Sequence, residues 1–571
     1  MEDYIFKLVA ISSALLVLYP VITVVHAIWW GPKRLEKQLR KQGVRGTSYK
    51  LLHGDAKEIK ECSREACYKP MTLDHQISPR VSPFFHELLK RLLQTCKLKK
   101  MEDYIFKLVA ISSALLVLYP VITVVHAIWW GPKRLEKQLR KQGVRGTSYK
   151  LLHGDVKEIK ECSREACYKP MTLDHQISPR VSPFFHELVQ KYGKLSFFWN
   201  GTRPRLMLGD PELIRLILTD KRGHFVKMPL NPIVGVLQLR MVPAFEASCF
   251  GLIDRWEKLI SPQGSGEIDV APELQNLASD AIARTAFGSS FEEGKRIFEL
   301  LEEQIDQIGR NNRRCNIVKE INAILRDMIS RKEEAMRING DSGNDDLLGL
   351  LLQCKEESDT DNHNGLTIED VIEECKLFYF AGQETTATLL TWTLIVLSMH
   401  PDWQQKARDE VLHICAKRTP DFEAINQLKI VPTILYEVLR LYLPLISLYR
   451  HTRQKTNIGG LSIQAGIDLA LPVLLLHNNP NYWGEDAEKF NPERFSQGIL
   501  KASKDQIAFY PFGWGPRICI GQNFAMVEAK MALAMILQHF SFQLSLSYAH
   551  APCPVVTLKP QHGAPIILHR I

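Results

Sequence analysis

The hydrophobic pattern divides the chain into two kinds of segment. Leu8–Trp30 and Leu108–Trp130 are uncharged runs long enough to cross a bilayer. Further along, the pattern is that of a globular, mostly helical body. Thr367-Ile-Glu-Asp-Val opens a helix that is apolar nearly all round from Leu377 to Ser398, which predicts a central, buried element. Asn523, Phe524, Ala525, Met526, Val527, Met531, Ala532, Met535 and Ile536 predict a second buried helix starting at Gln522, and Thr433–Tyr442 a third. Strands are fewer. Leu195–Trp199 and Arg205–Leu208 flank Asn200-Gly201 and predict a hairpin, after which Asp210-Pro211 opens a helix to Leu218. Leu443–Arg450 reads as another strand, and the polar stretch Asn339–Asn364 as surface loop around a short apolar segment. The expected fold class is mainly α with a small β portion.

Residues 1–88 recur at 101–188 with one difference, Ala56 against Val156. Structural repeats diverge and stack, so near-identity that includes a second Met101 indicates duplication of a first segment rather than a solenoid. Residues 89–100 have no counterpart, whereas the second copy runs on through Tyr192-Gly193. The expected organisation is a duplicated segment at 1–100 with an extra span at 8–30, an anchor (108–130) and basic linker at 101–145, and the main domain at 146–571. Trp29-Trp30 followed by Lys33, Arg34, Lys37, Arg40 and Lys41, repeated at 129–141, places the chain after each span in the cytosol. Two such spans in series cannot both obey that rule. The expectation is that one span fails to insert or that the first copy is absent from the protein in the cell.

Charge changes the picture only at the start of the chain. Of 72 Lys and Arg against 63 Asp and Glu, residues 1–100 hold 18 and 9, which leaves 54 of each in the remainder. Residues 101–571 are therefore formally neutral, which gives no case for nucleic acid. With 571 residues, 45% of them hydrophobic, the chain can bury a large core. The twelve cysteines show no paired zinc spacing and suit a reducing compartment.

Candidate chemistry centres on Phe512-Gly513-Trp514-Gly515-Pro516-Arg517-Ile518-Cys519-Ile520-Gly521, a Gly-rich loop that delivers one cysteine to a helix N-terminus. The glycines allow positive φ, and the helix dipole there favours a thiolate. A second constellation lies mid-helix, Ala381-Gly382-Gln383-Glu384-Thr385-Thr386, where a glycine, an acid and two β-branched alcohols interrupt an apolar element. A helix kink with threonine hydroxyls bonded to backbone carbonyls is the structural alternative. A third pairs Glu437 with Arg440 on one helical face, with Phe490-Asn491-Pro492-Glu493-Arg494-Phe495 downstream.

On Phe-x-x-Gly-x-Arg-x-Cys-x-Gly, followed by a helix, the chain resembles the cytochrome P450 haem-thiolate monooxygenases. Its texture from Glu373 to Thr386 and from Ser547 to Ala564 is similar to plant members such as secologanin synthase, which act on terpenoids and related hydrophobic small molecules. The resemblance implies haem b, the iron protoporphyrin IX, with Cys519 as the axial iron ligand. It implies cofactor contacts at Phe512, Gly513, Gly515 and Gly521, propionate partners at Arg517 and Arg450, and room over the haem at Ala381 and Gly382. Thr385 would hydrogen-bond the oxygen and Glu384 would relay protons from solvent. Glu437, Arg440 and Arg494 match the family's structural triad. One oxygen atom from O2 would enter the substrate, with electrons from NADPH through a membrane-bound NADPH-cytochrome P450 reductase docking on the Cys519 side. The expected location is the endoplasmic reticulum membrane, held by a single-pass anchor with a cytosolic catalytic domain.

The chain departs from the family in two places. A helix carrying Trp-x-x-x-Arg, whose side chains hold the propionates, is absent where Asn231–Gln238 passes directly into Leu239–Phe245, and a second shortening follows Gly309. The alternative reading is therefore a catalytically defective or mis-assembled product that keeps the motifs without a secure haem site.

Overall fold

A computed structural model describes residues 119, 122–226, 242–261, 264–288, 291–306, 311–339, 346–360, 366–504 and 507–571. Of these, all but residue 119 belong to one compact unit, Val121–Ile571. The whole of 1–100, the run at 8–30, most of that at 108–130 and the junctions at 227–241 and 307–310 lie outside the described residues, together with the expectations attached to them. Among the described residues no helix is long and apolar enough to cross a membrane.

The central helix is Ile368–Met399. Thr367 and Asp370 close a capping box at its start, so two donors that would otherwise be orphaned are satisfied. From Ala387 to Leu397 it is buried at every position, as its all-round apolar pattern requires. Trp392 fixes it sideways: its ring stacks on Tyr442 at 4.4 Å and its indole N–H donates to the Leu558 carbonyl at 2.6 Å. The helices Ile430–Leu441 and Gln522–His539 share this core. A second apolar cluster gathers Val270–Phe287, Phe291–Asp306, Asn311–Asn339 and Leu347–Thr360 around Tyr379.

The sheet portion is small. Six strands run in the order Arg145–Gly146, Leu195–Asn200, Arg203–Leu208, Asp468–Leu471, Leu448–Thr452 and Phe225–Val226. The predicted hairpin is present, in register Leu195 with Leu208, and Asp210 caps the next helix by accepting from the Glu212 and Leu213 amides. A three-stranded sheet joins Phe540–Leu544, Pro565–Arg570 and Ser265–Asp269. A separate hairpin pairs Pro552–Pro554 with Leu558–Pro560 and sets Cys553 opposite Lys559.

Three expectations are corrected. The stretch 339–364 contains a helix, Leu347–Thr360, because Leu347, Leu348, Leu351 and Leu352 form one buried face that outweighs the polar flanks. The strand expected at Leu443–Arg450 begins only at Leu448, after Pro444, whose missing N–H cannot join a ladder. The helix Gly131–Lys141, in the stretch read as a basic linker, packs on the body. Leu139 is buried in the main core, and Arg140 bonds both Glu136 and the Gly146 carbonyl.

Candidate active site

The cysteine loop is closed by its own backbone. Gly513 and Gly515 sit at φ +74° and +71°, in the left-handed region that side chains disfavour. A Cβ on Gly515 would lie 2.5 Å from the Leu218 carbonyl oxygen, so the glycine lets the loop seat against the end of the Pro211–Leu218 helix. The Cys519 N–H donates to the Phe512 carbonyl at 2.8 Å, and Ala525 donates to Gly521 as the helix begins. Phe512 is half-buried against the main core, while Pro516 to Ile520 face outward. Cys519 is exposed between Ile518 and Ile520, which are 39% and 49% exposed. An open thiol flanked by apolar side chains at a helix N-terminus offers a flat apolar cofactor both a ligand and a surface to cover.

Two arginines lie together nearby. Arg450 is 5% exposed and donates to its neighbour's carbonyl, Tyr449, at 2.8 Å. Burial, and then the charge of Arg517, push its guanidinium down to about 10. Among the described residues no carboxylate pairs with either arginine. Two like charges without a counter-ion form an anion site, and the propionates of a haem would relieve both the repulsion and the desolvation.

Behind the loop, Glu437, Arg440 and Arg494 meet as the sequence implied. Arg440 forks onto Glu437 at 2.7 and 2.8 Å, both side chains are fully buried, and the Arg494 Nε stands 3.4 Å from the same carboxylate. Arg440 also donates to the carbonyls of His477, Ala487 and Lys489, and the Asn491 N–H donates to Glu437. Arg494 reaches Asp486 and the Trp483 carbonyl. Beyond their mutual contact, Arg440 Nη1 and Nη2 and Glu437 Oε1 pin the segment that leads into the cysteine loop.

On the central helix, Glu384 and Thr385 bond in different places. Glu384 is 2% exposed; its Oε1 accepts from the Thr557 hydroxyl at 2.8 Å and lies 2.8 Å from the Lys559 ammonium. Thr388 donates to the Glu384 carbonyl and to Thr557. Thr385 is only partly buried and donates back to the Ala381 carbonyl at 2.8 Å. Ala381 is exposed. Gly382 also has a packing role. A Cβ there would meet Ile282 at 2.7 Å, so its smallness serves the packing of this helix on Val270–Phe287.

Sequence reasoning missed three participants. Thr557 and Lys559 come from the hairpin at 552–560 and carry no local signal, since an alternating Thr and Lys is ordinary strand chemistry. Glu528 did leave a signal, an acid inside the apolar run after Cys519. It is 1% exposed, beside the Thr386 hydroxyl, and neither group makes a hydrogen bond of normal geometry. Burial pushes its carboxyl well above the ordinary range and keeps it neutral.

Comparison with known proteins points the same way as this geometry. A family model described as Cytochrome P450 matches residues 235–550. The chain is 48% identical over 492 residues to Cytochrome P450 CYP72A616 of Paris polyphylla, an alignment covering 78% of this chain and 95% of that protein. It is 44% identical over 501 residues to 11-oxo-beta-amyrin 30-oxidase of Glycyrrhiza uralensis, covering 79% and 95%. It is 42% identical over 518 residues to Secologanin synthase 2 of Catharanthus roseus, covering 82% and 98%.

Proposed function

Because the chain belongs to the cytochrome P450 family of haem-thiolate monooxygenases, we propose that it inserts one oxygen atom from O2 into a hydrophobic, terpenoid-like plant small molecule. The second oxygen leaves as water, with two protons and with two electrons drawn from NADPH through a reductase docking on the Cys519 side. The substrate class rests on relatives whose names are an amyrin oxidase and a secologanin synthase. When bound, the haem supplies O2 activation and oxygen transfer.

The observation that carries the reading is Cys519, exposed on a closed loop at a helix N-terminus near two arginines that lack a counter-ion. Cys519 as thiolate would ligate the iron, and Arg450 and Arg517 would hold the propionate carboxylates. Glu384 holds a proton or releases it at Oε1, where Lys559 and Thr557 steady its charge. The Thr385 hydroxyl, bonded only to its own helix, turns to donate toward the substrate side. Membrane attachment at the endoplasmic reticulum by a single-pass anchor belongs to the same proposal. Its support is the apolar run ending at the exposed Trp129-Trp130, followed by Lys133 and Arg134.

One observation favours a second reading, a product that folds but retains haem weakly. In the 48% identical alignment, 78% of 571 residues is about 445, set against 492 aligned positions, so about 47 positions of the relative have no counterpart in this chain. That supports missing segments in this chain, and the sequence motifs place the expected ones near Gln238 and after Gly309. A carbon monoxide difference spectrum of the reduced chain separates the two readings. The enzyme gives a thiolate-type, red-shifted Soret band that Cys519→Ala abolishes, and the second reading gives no such band in the parent chain. Thr385→Ala is expected to keep the band while NADPH consumption outruns product. Unchanged product per NADPH in that variant would remove Thr385 from proton delivery.

A further inference from the structure

Two cysteines far apart in the chain come face to face beside the C-terminal hairpin. Cys167, at the end of the helix Val156–Tyr168, and Cys553, in the strand Pro552–Pro554, are separated by 386 residues, and their sulfurs stand 3.3 Å apart. Both are half-buried. One guanidinium sets their distance. Arg180 donates to the Cys167 carbonyl at 2.9 Å, to the Pro552 carbonyl at 3.2 Å and to Gln561 at 3.0 Å, tying the helix end to the hairpin. A cleft of about 530 Å3, lined by Cys162, Ala166 and Arg180 among others, lies beside the end of the same helix.

We propose that Cys167 and Cys553 are a reversible oxidation site, closing to a disulfide when hydrogen peroxide is present and reopening to thiols in a reducing cytosol. The two-electron oxidation runs in two steps. The Cys167 thiol gives up its proton, its sulfur attacks one peroxide oxygen, the O–O bond breaks, and the leaving hydroxide takes up that proton, so that a sulfenic acid and water result. The Cys553 sulfur then attacks the Cys167 sulfur; the S–O bond breaks and the hydroxyl leaves with the Cys553 proton as a second water. Peroxide is reduced to two waters and two thiols become one disulfide. Burial, and then the adjacent Cys167 thiol, push Cys553 up to about 12. A cytosolic disulfide of this kind is transient and regulatory in character.

The site reaches the oxygen groove through one pair of residues. Cys553 lies directly opposite Lys559 in the hairpin register, and Lys559 is the cation on Glu384. Closing the sulfurs by about 1.3 Å to bonded distance moves the strand that positions that cation. This transmission rests on the role proposed above for Glu384, whereas the disulfide itself does not.

The test uses the full chain carrying Cys67→Ser, since residues 65–69 and 165–169 are identical in sequence and give the same peptide. The protein is exposed to hydrogen peroxide, blocked with N-ethylmaleimide and mapped by mass spectrometry without reduction. The expected result is a Cys167–Cys553 linked peptide that forms before the exposed Cys354 is consumed and disappears with dithiothreitol; adding Cys167→Ser leaves Cys553 open to alkylation. Full alkylation of both thiols after Cys354 has been oxidised would overturn the site, as would a link from Cys167 to Cys162 instead. None of these readouts requires bound haem, so they stand or fall apart from the monooxygenase reading. In loaded protein, the linked form is expected to change product per NADPH. A formed link with unchanged coupling would overturn the transmission to Glu384.

Discussion

Two buried glutamates, Glu437 and Glu384, are held by different kinds of partner. Glu437 is held by Arg440 through a two-pronged contact, by Arg494 and by the Asn491 amide, all fixed in the core. Glu384 is nearly as buried, but its partners are a hydroxyl and a lysine that is 35% exposed, on a hairpin remote in sequence. A guanidinium keeps a planar, two-pronged geometry, which suits a fixed structural contact. A lysine reaching in from solvent is a looser partner, which suits the exchangeable role proposed for Glu384. Glu528 is a third case, an acid without a hydrogen bond of normal geometry that burial keeps neutral.

The comparison breaks most visibly at Glu437. Glu437→Gln leaves the Arg440 charge buried without its counter-ion, and the expected loss is about 3–5 kcal/mol in urea unfolding. A loss below about 1 kcal/mol would place the pair among ordinary exposed bridges. Lys559→Met tests the exchangeable side. With the lysine partly solvated, the expected stability change is only about 0–1 kcal/mol, while product per NADPH falls because Glu384 loses the cation beside it. Equal stability losses at Lys559 and Glu437 would erase the distinction between the two acids. At Glu528 the expected effect is one of pH dependence. Its folded-state carboxyl titrates above the unfolded one, so the native chain binds a proton that the unfolded chain has released. That contribution is fully present below the unfolded value and is lost as pH rises toward the folded one. Glu528→Gln is therefore expected to match the parent at acidic pH and to become relatively more stable as pH rises, read as melting temperature across that range. A parent that gains on the variant with rising pH would mean the carboxyl is ionised in the fold.

Much of this architecture is legible in the sequence alone, and the reason is local chemistry. The loop from Phe512 to Gly521 fixes its shape through its own glycines and the Cys519–Phe512 hydrogen bond, so a ten-residue window carries it. Glu437 and Arg440 sit three apart on one helix, and helical geometry alone brings them together. What escaped was non-local. The packing of Gly382 against Ile282, a hundred residues earlier, has no local signal. Thr557 and Lys559 become partners of Glu384 only once the C-terminal hairpin docks, and Cys167 meets Cys553 by the same docking. The leucines at 347–352 were visible but were outweighed by their polar surroundings, which is how a short amphipathic helix is mistaken for a loop.

The position of that hairpin in the chain has a consequence for biosynthesis. Thr557 lies 173 residues beyond Glu384 and also comes after Cys519. A nascent chain therefore presents the central helix with its acid unpartnered, and Trp392 without the Leu558 carbonyl, while translation continues. The helix can reach its final seat only after the hairpin has emerged. Until then the acid remains hydrated, and the half of the molecule around it waits open for the segment that will close it.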